Sequence, residues 1–413
     1  MTSRCSKIRI PASKGRVLVL ENYRQTIVVI RSLAKLGFEV TVGREGRKAY
    51  TEYSRYTSEV WVHPPVLETT QFVSALKAFL SERADITHVF PLGEFSIKAL
   101  LDEYEELSQR VTIVIASPNV AGSCLDKPSA YALVNELEIP LPKTEYGTTG
   151  DEIRAGAAKV GFPCILKLRN SFKMLLGRKA IVCENMGDLA SVVHRLSENH
   201  DELIIQRFAS GFRHNCNYAA VRGKVQAYFE HKVLRTDRLD GCGYIVDAVT
   251  VPPNSLHREY CARIAERLSY TGVGCMQFLF DDATLETNFL ELNPRLDATC
   301  YVPFRCGYDF PKLAIECAEA MKDPDVKVEV VSHYGRNKRF HWLLGDTHAL
   351  LAAFLAREIS PRDAMRWALR IVYSAARANH FLGWSWKDPL PTLVLYFEFV
   401  GTMFHKVRKI VFR

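Results

Sequence analysis

The pair of segments Gly274-Cys-Met-Gln-Phe-Leu-Phe280 and Asn288-Phe-Leu-Glu-Leu-Asn-Pro-Arg295, joined by a turn, decides how this chain is read. In a strand, side chains alternate between two faces, so Glu291, Asn293 and Arg295 share one face while Leu290 and Leu292 point to the other. A carboxylate beside an amide oxygen suits a hard cation. Mg²⁺ takes one or two protein carboxylates and completes its shell with waters and phosphate oxygens, and a neighbouring Arg then meets the transferred phosphate. Three such residues in isolation read better as an exposed polar strand face ending at Pro294, so the rest of the chain has to decide.

Upstream, Arg16-Val-Leu-Val-Leu20 is followed by Ile27, Ile30, Leu33, Ala34 and Leu36 at helical spacing, then by Phe38-Glu-Val-Thr-Val42. The alternation recurs through Val60–Val62, Phe72–Leu80, His88–Pro91, Phe95–Tyr104 and Val111–Ile115, which predicts a doubly wound parallel α/β domain. Its first strand lacks Gly-x-Gly-x-x-Gly, and no P-loop occurs in the chain, so two common nucleotide-binding classes are excluded. From about Ser123 the texture becomes α+β. Helices are expected at Lys127–Leu137, Asp151–Val160, Met186–Asn199 and Leu256–Tyr270, with strands at Cys164–Leu168, Lys179–Cys183, Leu203–Phe208, Asn217–Val221, Lys224–Phe229, Cys275–Phe280 and Asn288–Leu292. Beyond about 330 the chain reads as helical, with Asp346 as a cap for Ala349–Ala356, and with Ser360, Pro361 and Asp363 opening a helix to about Ala376.

Length and composition agree. The 413 residues, 48% hydrophobic and 24% charged, describe two or three globular domains. A net charge of +8 is too weak to argue for nucleic acid. The 11 cysteines are odd in number with no Cys-x-x-Cys pair, so reduced thiols are expected rather than disulfides or a zinc site. The polar, basic start Met1–Pro11 has no signal-like apolar run and no stretch is long enough to span a bilayer, so a cytoplasmic location is expected.

The segment Gly274–Arg295 resembles the closing motif of the ATP-grasp superfamily, two facing strands ending in Glu-x-Asn-Pro-Arg. The resemblance covers about Lys127–Arg295 and rests on five motifs in order. It implies an ATP-grasp fold in three parts: an N-terminal doubly wound domain over 1–122, an ATP-grasp domain over 123–325 with its lid at about 165–210 and catalytic strands to about 295, and a helical extension over 326–413. Lys127 and Lys167 are the implied ATP-contacting lysines. Gln206-Arg-Phe208 is the implied adenine hinge, and Ser171 and Lys173 the lid contacts. Lys232, Arg235 and Arg295 are the implied catalytic cations, with the Gly241-Cys-Gly243 loop beside the phosphates. The implied metal ligands, for Mg²⁺ or Mn²⁺, are Glu291, Asn293 and Gln277, where Gln277 stands in place of the family's usual acid. The lid loop Arg169–Gly177 has one glycine where the family is Gly/Ser-rich.

The resemblance implies a ligase: ATP activates a carboxylate as an acyl phosphate, which an amine attacks, with release of ADP and phosphate. The alternatives are a thiol or hydroxyl acceptor, or a non-catalytic ATP-binding module. Gly383-Trp-Ser-Trp-Lys-Asp-Pro-Leu-Pro391 further resembles a bacterial biosynthetic subgroup, and a homodimer is an implied arrangement. Arg213 and His214 after the hinge read as solvent-exposed. Cys216, Cys242 and Cys275 read as small buried hydrophobes, and His214, His231, His341 and His348 as core or surface residues rather than ligands. The tail Leu395–Arg413 is a basic amphipathic helix expected to dock on the C-terminal region, with peripheral membrane contact as the minority reading.

Overall fold

The computed structural model describes residues 14–169, 174–196, 200–239, 241–331 and 333–411, with side chains placed up to residue 401. The described chain divides into two compact units, residues 14–114 with Ser385–Val394, and Ile115–Trp384 with the helix beyond Leu395.

In the first unit, β1 (Arg16–Leu20), β2 (Glu39–Arg44), β3 (Glu59–Val62), β4 (Ile86–Pro91) and β5 (Thr112–Ile113) form a parallel sheet in the order β3-β2-β1-β4-β5. Central β1 buries Val17, Leu18, Val19 and Leu20 completely, as a strand covered by helices on both faces requires. The doubly wound expectation is met, although the last strand is shorter than its apolar run. Ser385–Val394 is fastened to this unit by Asp388. Its carboxylate accepts Arg31 Nε at 3.0 Å, Ser54 Oγ at 2.8 Å and the Arg55 N–H at 3.0 Å, all buried or half-buried.

The second unit holds two sheets. β6 (Thr144–Gly147), β7 (Cys164–Leu168), β8 (Ile181–Cys183) and β9 (Leu203–Arg207) pair antiparallel in the order β6-β9-β7-β8. Ile153, Ala157 and Val160 of the helix Gly150–Val160 pack on Cys164, Leu166, Leu203 and Ile205, giving this small sheet its own core. Thr149 caps that helix by accepting the Glu152 N–H.

The larger sheet is built from β10 (Phe212–Val221), β11 (Lys224–Thr236), β12 (Ile245–Thr250), β13 (Gly272–Phe280), β14 (Thr287–Asn293), β15 (Arg339–His341) and β16 (His380–Phe381), in the order β14-β13-β10-β11-β12-β15-β16. The helices Ser255–Arg267 and Phe310–Lys322 pack against it.

The region beyond 326 is not purely helical: β15 and β16 extend the sheet, and the helices Leu343–Leu355 and Pro361–Arg377 follow β15. Ser360 caps the second of these helices, accepting the Asp363 N–H as expected. Asp346 does not cap the first, which starts at Leu343. Its buried carboxylate instead accepts from Trp367 Nε1 at 2.7 Å and pairs with Arg235 and with His341 Nε2 at 2.9 Å. Among the described residues no helix is long and apolar enough to cross a membrane.

Candidate active site

Register alone assembles one face of the large sheet. Across the strands, Thr250 faces His231, His231 faces Asn215, Asn215 faces Gln277 and Gln277 faces Glu291; one step along, Asn217 faces Cys275 and Cys275 faces Asn293. Residues directly opposite in a sheet share a face, so Glu291, Asn293 and Gln277 lie on one face of the sheet. The Asn293 amide N–H donates to Glu291 Oε1. These are hard oxygen donors, so the residues present fit Mg²⁺. Arg295 lies just past the end of β14, half-buried, with Nη1 donating to the Leu296 carbonyl at 3.2 Å.

Asp297 is a second carboxylate on this face that sequence reasoning missed. It accepts Asn215 Nδ2 at 3.1 Å and Asn217 Nδ2 at 3.0 Å, and Thr299 Oγ1 donates to it while lying 3.1 Å from His231 Nε2. The signal was present in the sequence, since the alternation of Glu291, Asn293 and Arg295 reaches Asp297 at the next step. Arg213 sits on the same face. Burial lowers its pKa, opposed by Glu291, Cys275 and Asp297, and its Nη2 donates to the Gly243 carbonyl at 3.2 Å. His214, one residue on, turns to the opposite face and is buried, so the expected exposure of both residues is corrected.

The small sheet supplies Lys167, and the helix Lys127–Glu136 supplies Lys127. Lys167 on β7 is 7% exposed and donates to Gln206 Oε1 at 2.9 Å; Gln206 in turn donates to Thr144 Oγ1 at 2.7 Å. Its ammonium lies 5.4 Å from the Tyr131 ring centroid. Burial lowers the Lys167 pKa to about 8, against the raising influence of Glu291 and of Cys242 in the glycine loop. Lys127 Nζ donates to the Leu168 carbonyl at 3.1 Å, beside Lys167. In the hinge, the Arg207 and Phe208 N–H groups are committed to the Lys143 and Pro163 carbonyls at 2.8 and 3.0 Å, and both side chains are exposed. Ser171 and Lys173 lie outside the described residues.

Two expected cations are elsewhere. Lys232 faces His214 in the register and therefore lies opposite to Glu291. Its ammonium pairs with Asp282 and stands 3.9 Å from the Phe212 ring centroid. Arg235 is held by Asp346 and Ser374 in the C-terminal region. In both cases a nearby carboxylate captures the cation, and strand periodicity decides the face.

Two sheets, one carrying the buried Lys167 and the other a Glu-x-Asn-Pro-Arg edge, define an ATP-grasp fold. Among the curated proteins the chain is similar to the carbamoyl phosphate synthase arginine-specific large chain of Bacillus subtilis (strain 168), 21% identical over 319 residues, or 75% of this chain and 29% of that one. It is also similar to the large chain of the same description from Geobacillus stearothermophilus, 26% identical over 200 residues, 45% of this chain and 18% of that one. The chain thus spans less than a third of the length of these relatives. Among solved structures, a biotin carboxylase β,γ-ATP complex from Campylobacter jejuni aligns with a TM-score of 0.62 at 16% identity, covering 79% of this chain and 74% of that one. The ADP complex of purK, N5-carboxyaminoimidazole ribonucleotide synthetase, aligns with a TM-score of 0.61 at 11% identity, covering 81% and 82%. No family model matches the chain.

Proposed function

We propose that this chain is an ATP-dependent ligase that activates a carboxylate as an acyl phosphate for attack by an amine, releasing ADP and phosphate. One observation carries the reading: Glu291 and Asn293 share a sheet face, and the buried Lys167 lies in the electrostatic field of Glu291. ATP and a carboxylate are both anions, so bringing them together requires fixed cations and a route for the developing charge. Lys127 and Lys167 hold the phosphates, and Arg295 spreads charge on the transferred phosphoryl group. Glu291, Asn293 and Gln277 would hold Mg²⁺, which neutralises phosphate charge when bound. Asp297, fixed by two asparagines, is placed to attract a cationic amine acceptor. The short hinge and lid region over about 165–210 excludes water from the acyl phosphate, which water would otherwise hydrolyse.

The residue range 123–325 forms the ATP-grasp portion in this reading, and the substrates are a small carboxylate and an amine in the cytoplasm. The Hydrogenobacter thermophilus biotin carboxylase domain is described as a dimer, which supports a homodimer here. The basic residues proposed for peripheral membrane contact, Lys406 to Arg413, lie where side chains are not described. Gln277 opposite Glu291 favours one second reading, a nucleotide-binding module with little turnover.

The test is incubation of the protein with Mg²⁺, ATP and fractionated cytosolic metabolites, following ADP, AMP and new masses, with Glu291→Ala as control. ADP formation dependent on one fraction, with a product mass of acid plus amine minus water, is the expected result. AMP in place of ADP overturns the acyl-phosphate route. ATP binding without turnover in any fraction supports the module.

A further inference from the structure

The helix Leu390–Val411 carries an apolar stripe that stands apart from the proposed ATP chemistry. Leu390, Leu393, Phe397, Val400, Phe404, Val407 and Val411 follow one another at alternating steps of three and four residues, with no polar residue among them. That spacing is the a/d pattern of a heptad repeat, sustained over about three heptads. Where side chains are described, the stripe faces solvent: Leu390 is 56% exposed, Leu393 37%, Phe397 74% and Val400 44%.

The helix is held by a different face. Leu395, Tyr396 and Phe399 are half-buried, and the Phe399 ring stands edge-on to His348 of the helix Leu343–Leu355, with 5.0 Å between ring centroids. Phe397 and Phe399 are two residues apart and therefore lie on opposite sides of the helix. Beside Val400 the surface is open, since a methyl group placed on Gly401 meets no atom within 4 Å among the described residues. A continuous exposed apolar stripe marks a contact surface.

Period and charge choose the occupant. On a straight helix a 3.5-residue repeat drifts by about 20° per heptad, so a flat bilayer surface loses the stripe along its length, whereas a second helix winding around the first keeps it in contact. An acidic partner calls for a row of cations beside the stripe. With Leu390 at a and Leu393 at d, Glu398, Lys406 and Lys409 fall at b, c and f, away from the seam, and Arg408 is the one charged residue flanking it. The other flanking positions hold Val394, Gly401, Tyr396, Met403 and Ile410, so no like-charged row keeps two copies apart.

We propose that this stripe is the interface of a homodimer, in which the helix Leu390–Val411 pairs antiparallel with the same helix of a second copy. The proposal gives the homodimer reading above a surface and rests on that reading for the number of copies. Lys406, Arg408 and Lys409 crowd the last two turns, so a parallel pair brings two basic ends together, while an antiparallel pair separates them and opposes the helix dipoles. Centred between Phe397 and Val400, the antiparallel pair sets Phe397 of each copy against Val400 of the other, large against small, as a well-packed layer requires. Gly401 leaves room for the second helix beside that layer.

Sedimentation velocity of the full chain from about 1 to 100 µM, without lipid or detergent, reads the assembly. The wild type is expected to pass from monomer to dimer across this range. Phe397→Glu and Val400→Lys change exposed positions, so circular dichroism and melting stay unaltered, and each is expected to raise the dissociation constant at least about 100-fold by placing charge in an apolar layer. An equimolar mixture of the two variants is expected to recover dimer, because antiparallel pairing sets the introduced carboxylate against the introduced ammonium. A wild-type dimer that survives both substitutions overturns the stripe as the interface and leaves the homodimer reading standing on another surface. A wild type that stays monomeric throughout overturns both, and cosedimentation of that monomer with phosphatidylglycerol vesicles then assigns the stripe to a bilayer. Recovery of dimer when Phe397→Glu is mixed with Phe397→Lys, but not with Val400→Lys, overturns the antiparallel order.

Discussion

Lys167 shows how far a single residue can be read. The sequence identifies it as a lysine in the strand Cys164–Leu168, and only the fold reveals that burial lowers its pKa to about 8. Because the folded value lies below the ordinary lysine value, burying the charged form costs stability below about pH 8, and that cost disappears as pH rises toward the unfolded value. In the proposed phosphate-binding role of Lys167, ATP affinity has the opposite sense: above about pH 8 the lysine loses its charge, and binding is expected to weaken by up to about tenfold per pH unit. Calorimetric titration across pH checks this, and Lys167→Met flattens the profile. At neutral pH, Lys167→Met lowers ATP affinity by about 100-fold, as loss of a charge-assisted contact of about 2–3 kcal/mol implies. Lys232→Met leaves affinity within about twofold, because its ammonium pairs with Asp282 on the other face. Equal losses in the two variants contradict the register-based placement.

At the scale of elements, the Arg235–Asp346 pair illustrates why motif reading misassigned a cation. Lys232-Val-Leu-Arg235 follows the basic-strand pattern, and register shifts in β11 on either side of Arg235 leave it beside the C-terminal helices. There Asp346 gathers Arg235, Trp367 and His341, joining strands β11 and β15 to two helices. Asp346→Leu strands the guanidinium and a buried indole N–H, and is expected to destabilise the fold by about 3–5 kcal/mol. Denaturant unfolding followed by tryptophan fluorescence measures it, and a loss below about 1 kcal/mol removes the network from any anchoring role. One helix end was more legible: Ser360 announces its cap through a side chain that reaches only three residues ahead.

Across the whole chain, the segment around Asp388 belongs to the first compact unit although it lies near the other end of the sequence. A buried aspartate receiving Arg31, Ser54 and the Arg55 N–H is a long-range clamp. Asp388→Ala removes the carboxylate that faces the buried Arg31 guanidinium, with an expected loss of about 3–5 kcal/mol. Differential scanning calorimetry is the check, and the transition assigned to the parallel-sheet unit is the one expected to fall. No such shift means that Ser385–Val394 does not stabilise that unit.

The sequence by itself determined the parallel α/β first unit, many of the helices and strands between Lys127 and Asn293, and the Glu291-x-Asn293 face, because strand and helix periodicities are local properties; the strands Thr144–Gly147, Ile245–Thr250, Arg339–His341 and His380–Phe381 and the helix Phe310–Lys322 emerged only in the fold. The sequence also carried the ATP-grasp resemblance, through motifs spaced along one stretch of chain. Only the tertiary structure decided that Asp297 is anchored by Asn215 and Asn217, that Lys232 points away, and that His214, Glu230 and His257 meet behind the sheet. Those outcomes depend on which strands pair and in what register, since one residue of slip transfers a side chain to the opposite face. A carboxylate waiting more than a hundred residues away, as Asp346 waits for Arg235, leaves no trace in the local pattern of either segment.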